Sequence, residues 1–280
     1  MSDKRLKQRI LTRLLYIFLL IFAFIQVFPL LWATLFSFKS NEDMVLKGAL
    51  ALPEKWMFSN YVNAWGKGHI QEYFFNSLFV AVVTLLAVVL LSSMAAYAIA
   101  RMKWALSKAT MTLLLAGMMV PVQAILIPQF FILKNLHVTK NFLSVILPYT
   151  GAGLPLGIFI ISGFIVSIPR AMEEAAFIDG CGIFRTFFSI LLPLIKPSLA
   201  TVGVLTFLSS WNEFIMAATY IYNEKINTLP VGLMAFSGTH ATDWGSMGAA
   251  MVLASIPALV FYFVFSEQVE KSFSAGALLK

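Results

Sequence analysis

Four carboxylates stand out in a chain otherwise poor in charge. Glu173, Glu174 and Asp179 fall together in the stretch EEAAFIDG, which ends at Gly180, and Glu213 stands alone in WNEF, inside a long apolar run. The chemistry open to the first group is recognition. Carboxylates beside the small residues Ala175 and Ala176 can pair with the Arg or Lys of a partner that approaches closely. The second group admits two readings. Trp211 could stack on the face of a sugar, with Asn212 and Glu213 bonding its hydroxyls, or the three could form a buried polar contact between helices or an interfacial site near water. Other site chemistry lacks a pattern. The three histidines, His69, His137 and His240, are scattered and match no metal-ligand spacing. No Ser/His/Asp or Cys/His set gathers, and the single cysteine, Cys181, excludes an intrachain disulfide and reads as a small, half-buried residue.

The elements that must position these residues are membrane spans. Of the 280 residues 60% are hydrophobic and only 12% charged, with a mean hydropathy of +0.85, whereas a soluble domain carries about 25% charged residues. Six runs are long enough to cross a bilayer: about 14–38, 74–100, 109–133, 141–168, 197–222 and 245–266, with Glu213 the one charge within them. This predicts an all-α, polytopic integral membrane protein of six transmembrane helices. Residues 1–13 form a basic N-terminal segment, 14–280 a single transmembrane domain, and 169–196 the loop between the fourth and fifth spans. The first apolar run is too long for a signal-peptide core and ends in FSFKS rather than a small-x-small cleavage site, so it reads as a retained helix.

Orientation follows from Lys and Arg. With the N-terminus inside, thirteen of them fall in inside segments and seven outside, and every arginine is inside. Both termini are therefore expected in the cytoplasm. The net charge of +7 is mostly an orientation signal, not a nucleic-acid footprint. The loop 169–196 becomes cytoplasmic. The loops of about Lys39–Tyr73, carrying Trp56, Phe58, Tyr61 and Trp65, and about Asn223–Trp244, carrying His240 and Asp243 as surface polar residues, become external. Pro29, Pro121, Pro128, Pro148, Pro155 and Pro257 are expected to kink or break their spans. Gly153-x-x-x-Gly157 could pack a helix closely or be an ordinary Gly-rich stretch.

Within 169–196, Ser167 can cap a helix and Pro169 suits its first turn. Glu173 and Glu174 complement the N-terminal dipole, and Gly180 is a natural stop in the left-handed conformation. A short helix of about three turns is expected. A second apolar helix follows, bent by Pro193 and Pro197, so that the whole forms an elbow projecting from the membrane.

Glu174-Ala175-Ala176, then Gly180 after three residues, then Ile190-x-Leu192-Pro193 after nine more, resembles the EAA motif of the membrane subunits of ATP-binding-cassette importers fed by a binding protein. Asp179 fits that motif too, while Cys181 stands where such proteins often have alanine. The segments 76–104 and 118–136, SSWNEF (209–214), TLPVGL (228–233) and the ending SAGALLK (274–280) are similar to the carbohydrate-uptake branch, in particular to the smaller of the two permease subunits of maltose-type transporters. The resemblance covers nearly the whole chain. It implies a permease subunit in an inner membrane that pairs with a second permease, two cytoplasmic ATPases and an extracytoplasmic sugar-binding protein. The helix of Glu173, Glu174, Ala175, Ala176, Asp179 and Gly180 would sit in a cleft on one ATPase, and the external loop 223–244 would reach toward the binding protein. It implies no enzyme activity and no cofactor in this chain. ATP and its magnesium would be bound by the partner ATPase, in line with the absence of a G-x-x-x-x-G-K-[ST] loop here. The larger permease of such systems supplies most sugar contacts, which weakens the case for Trp211, Asn212 and Glu213 as sugar ligands. A sugar-phosphate cargo would call for a cation deep in a span, where none lies. A secondary transporter would need midplane carboxylates, where only Glu213 is available.

Overall fold

The computed structural model describes residues 2–48, 50–236 and 242–277. Its regular structure is helical among those residues: α1 (Ser2–Ser37), α2 (Asn41–Lys47), α3 (Ser59–Val62), α4 (Ile70–Arg101), α5 (Ser107–Gly117), α6 (Val122–Asn135), α7 (Leu143–Ser167), α8 (Ala171–Ile178), α9 (Ile183–Thr186), α10 (Leu192–Leu194), α11 (Lys196–Asn212), α12 (Ile215–Tyr220), α13 (Leu229–Leu233) and α14 (Trp244–Ala277). Among the described residues four stretches are long and apolar enough to cross a membrane, Gln8–Ser37, Ile70–Arg101, Leu143–Ser167 and Trp244–Gln268, and two bent pairs raise the number to as many as six. The all-α, multi-span expectation holds.

Two spans differ from a simple rod. The third is α5 and α6 meeting at 103°. Pro121 causes the break: its ring fixes φ at −61°, ψ is 134°, and it has no N–H to continue the preceding turn. The fifth breaks after Asn212, at Glu213, whose backbone is extended. Pro128, Pro148, Pro155, Pro29 and Pro257, by contrast, lie inside continuous helices. Membrane helices tolerate such prolines where neighbours satisfy the freed carbonyls.

The chain divides into two compact units, Met1–Ile70 with Leu233–Ser255, and Gln71–Gly232 with Ile256–Lys280. In the first, the ring of Phe38 meets those of Trp56, Phe58 and Tyr61 at 5.0–5.3 Å; Trp56 and Phe58 stay more than half exposed, so these aromatics form a surface cluster. Asn60 ties the end of α1 by donating to the carbonyls of Ser37 (2.8 Å) and Lys39 (2.9 Å). Asp243 accepts from the Ser246 N–H at the start of α14, and His240 lies outside the described residues, as do residues 278–280 of the C-terminal SAGALLK stretch.

The second unit has two buried clusters: one of Val88, Ala96 and Tyr97 from α4, Ile158, Ile161 and Ile165 from α7, and Phe187, Leu191, Ile195 and Val202 from the elbow and α11, and another around Val80, Val145, Tyr149 and Tyr220. Gly153 and Gly157 do permit close packing. A methyl group at Gly157 would stand 2.9 Å from the Ser92 Cβ, and one at Gly153 would stand 3.0 Å from Val88. Both contacts fall on α4, one helical turn apart.

Candidate functional site

The elbow is a two-turn helix, α8, then Gly180 and the apolar stretch Ile183–Leu194, which meets α11 at 78°. The bend before the fifth span falls at Ile195, with Pro197 in the first turn of α11, as the prolines suggest. The start of α8 corrects the sequence reading. Arg170 occupies the N-cap without a side-chain bond, and the Ser167 hydroxyl turns back to the Phe164 carbonyl at 2.7 Å. The helix is accordingly shorter than three turns. At its end Gly180 has φ of +80°, a conformation that costs an L-residue about 1–2 kcal/mol. The N–H groups of Asp179, Gly180 and Cys181 close the last turn onto Ala175, Phe177 and Ala176.

The acids of α8 divide by face. Glu173 and Ala176, three residues apart, are buried; Glu174, Ala175, Asp179 and Gly180 are exposed. Around the exposed set stand apolar side chains that no described residue covers: Phe177, Ile178 (86% exposed), Ile183 and Phe184. A projecting apolar patch rimmed by Glu174, Asp179 and Arg185 has the character of a protein-binding surface.

Glu173 turns inward, to a partner that sequence reasoning treated only as an orientation signal. Its Oε1 lies 2.7 Å from the Arg101 Nε, with both side chains under 10% exposed. The Arg101 Nη2 also donates to the carbonyls of Ile165 (2.8 Å) and Ile168 (2.6 Å) at the end of α7. The ring of Tyr97, also on α4, lies 5.5 Å from that of Phe187 on the elbow.

The WNEF residues do not converge. Trp211 is 2% exposed, stacked on Phe207 at 5.8 Å and edge-on to Phe74 at 5.5 Å. The exposed Asn212 donates to the Leu208 carbonyl of its own helix. Only Glu213 faces a cavity, of about 290 Å³, walled mainly by apolar residues of α7 and α11 such as Leu156, Ile160, Val202 and Leu205, with the hydroxyls of Tyr149, Thr206, Ser209 and Ser210 among them. Its carboxylate accepts from the Tyr149 hydroxyl (2.6 Å) and from the N–H groups of Met216 (2.8 Å) and Ala217 (3.1 Å). It thereby caps α12 where the fifth span breaks. Tyr149, Ser209 and Ser210 were not singled out from the sequence, since hydroxyl residues are unremarkable within a span.

The loop 223–233 is rooted on α4. Asn76 donates to the carbonyls of Lys225 (2.9 Å) and Asn227 (3.0 Å), and the Ser77 hydroxyl accepts from the Leu229 N–H (2.7 Å). His69 and His137 sit at turns with φ of 54° and 57°. Among the described residues no three His, Cys, Asp or Glu side chains come together as metal ligands.

A helical membrane chain with a projecting acidic elbow and a cavity at a broken span has the build of a transport subunit, and the comparisons agree. Residues 88–275 match the family described as the binding-protein-dependent transport system inner membrane component, and the chain belongs to that family. It is 35% identical, over 92% of its length and 86% of the relative's, to the diacetylchitobiose uptake system permease protein NgcG of Streptomyces coelicolor. It is 30% identical, over 98% of its length and 99% of the relative's, to the trehalose/maltose transport system permease protein MalG of Thermococcus litoralis. The fold is similar to the crystal structure of a bacterial ABC transporter involved in the import of the acidic polysaccharide alginate, with a TM-score of 0.81, 22% identity, and coverage of 92% of this chain and 96% of that one. The chain is thus a multi-pass membrane permease subunit, and its family is one of transport components, not enzymes.

Proposed function

We propose that this chain is one of two permease subunits of an ATP-driven importer that carries a sugar or oligosaccharide from an extracytoplasmic binding protein into the cytoplasm. It lies in the cytoplasmic membrane with both termini inside. Two ATPase subunits close on ATP and magnesium, and alternating access of the permease pair moves the sugar. The observation that carries this reading is α8: a short helix ended by Gly180, with Glu174 and the apolar residues Phe177, Ile178 and Phe184 turned outward. A folded subunit needs a partner for such a face, and Glu174 offers that partner a carboxylate for a buried cation. Carbohydrate as cargo is supported by the relatives named above. The cavity at Glu213 is mainly apolar, with one carboxylate and a few hydroxyls in its wall, and no Lys or Arg lines it to favour a phosphate.

The single cysteine supplies the test. Cys181 follows Gly180 and is partly exposed. In the assembled complex, maleimide labelling of Cys181 should slow markedly relative to the permease subunits alone, and Glu174→Lys should release the ATPase. Equal labelling with and without bound ATPase would rule out docking at α8.

A further inference from the structure

The peptide link between α7 and α8 is not helical. Ile168, the C-cap of α7, is extended (φ −79°, ψ 131°), and Pro169 and Arg170 follow before α8 begins. A joint of this kind is a hinge unless something braces it, because two adjoining residues outside a helix can absorb a rotation of α8 without moving α7. Arg101 is that brace. It is the last residue of α4, and its guanidinium reaches three elements at once: the Ile165 carbonyl in the last turn of α7, the Ile168 carbonyl at the joint itself, and Glu173 in the first turn of α8. Both carbonyls lie at the C-terminal end of α7, where a cation is favoured, and the Ile165 carbonyl also takes the Ile168 N–H at 3.1 Å. The two carbonyl contacts are hydrogen bonds from one nitrogen, Nη2, and the contact of Nε with Glu173 is a buried ion pair.

We propose that Arg101 is a positioning residue for energy coupling. It joins α8 to the ends of α4 and α7, so that a displacement of α8 by a bound ATPase reaches both spans as one movement. This rests on the assignment of α8 as the ATPase-docking helix. The two acids then have separate duties. Glu174 faces the partner, and Glu173 faces the chain's own spans. Tyr97 adds a second link from α4 to the elbow through its ring contact with Phe187.

The test compares Arg101→Gln and Glu173→Gln with wild type in the complete complex, reconstituted in proteoliposomes, with ATP hydrolysis and sugar uptake measured together. Both variants keep Glu174 and the exposed face, so the ATPase should co-purify and hydrolyse ATP. The expected result is a fall in sugar carried per ATP to about one-tenth of wild type. The double variant should fall no further than either single one, since both remove the same brace. Uptake and hydrolysis that fall together, leaving the ratio unchanged, would overturn the proposal, as would failure of both variants to assemble. Absence of ATP-driven uptake in wild type would instead sink the assignment of α8.

Discussion

The Tyr149 hydroxyl donates to the Glu213 carboxylate across 2.6 Å, joining the fourth span to the point where the fifth breaks. The same carboxylate takes two N–H groups of α12, so a single acid sets the break, caps the following helix and fixes its distance from α7. Tyr149→Phe should remove one charge-assisted hydrogen bond and destabilise the protein by about 1.5–3 kcal/mol. Thermal unfolding in detergent, followed by intrinsic tryptophan fluorescence, measures this. A melting temperature equal to that of wild type would show that the bond is not formed in solution.

The seam between α4 and α7 depends on Gly157. A methyl group there would meet the side chain of Ser92, which is buried and has no room to retreat. Gly157→Ala should cost about 1–3 kcal/mol by overpacking, while Gly163→Ala, where a methyl meets open space, should cost little. The ratio of folded to aggregated protein in size-exclusion profiles separates the two. Equal yields would contradict the close approach.

The loop 223–233 is held to α4 mainly through Asn76 and Ser77. Asn76→Ala leaves the carbonyls of Lys225 and Asn227 without that donor, and local opening should become easier. Trypsin should then cut after Lys225 several-fold faster than in wild type, with the cut located by mass spectrometry. An unchanged rate would mean that the loop is anchored elsewhere.

At Gly180 the backbone requires positive φ. Gly180→Ala should cost about 1–2 kcal/mol locally and misplace the turn that leads into Ile183–Leu194. In the assembled complex it should weaken retention of the ATPase during washing, with the permease still present in the membrane at near wild-type level. Full retention would show that the face tolerates a changed turn.

The spans were legible because length and hydropathy alone report them, and Gly180 was legible because a glycine after a short acidic, Ala-rich stretch has a specific backbone use. The break at Pro121 followed from its missing donor, but its 103° angle did not. The break at Glu213 was hidden, because neither proline nor glycine marks it and the cap depends on Tyr149 from another helix. Arg101 and Glu173 were harder still. Each sits at the polar end of an element, where orientation or a helix dipole already accounts for its charge, and only packing brings them together. Trp211 looked available for a ligand because sequence cannot tell an aromatic lining a cavity from one stacked in the core.

ATP-driven uptake tests the central claim most directly. The chain would be reconstituted in proteoliposomes with its second permease, ATPase and binding protein, with ATP on the ATPase side and labelled sugar on the other. The account predicts that sugar accumulates against its gradient only while ATP is hydrolysed, and that Glu174→Lys abolishes accumulation while Glu174→Gln weakens it. Accumulation without ATP, or accumulation unaffected by Glu174→Lys, would contradict it.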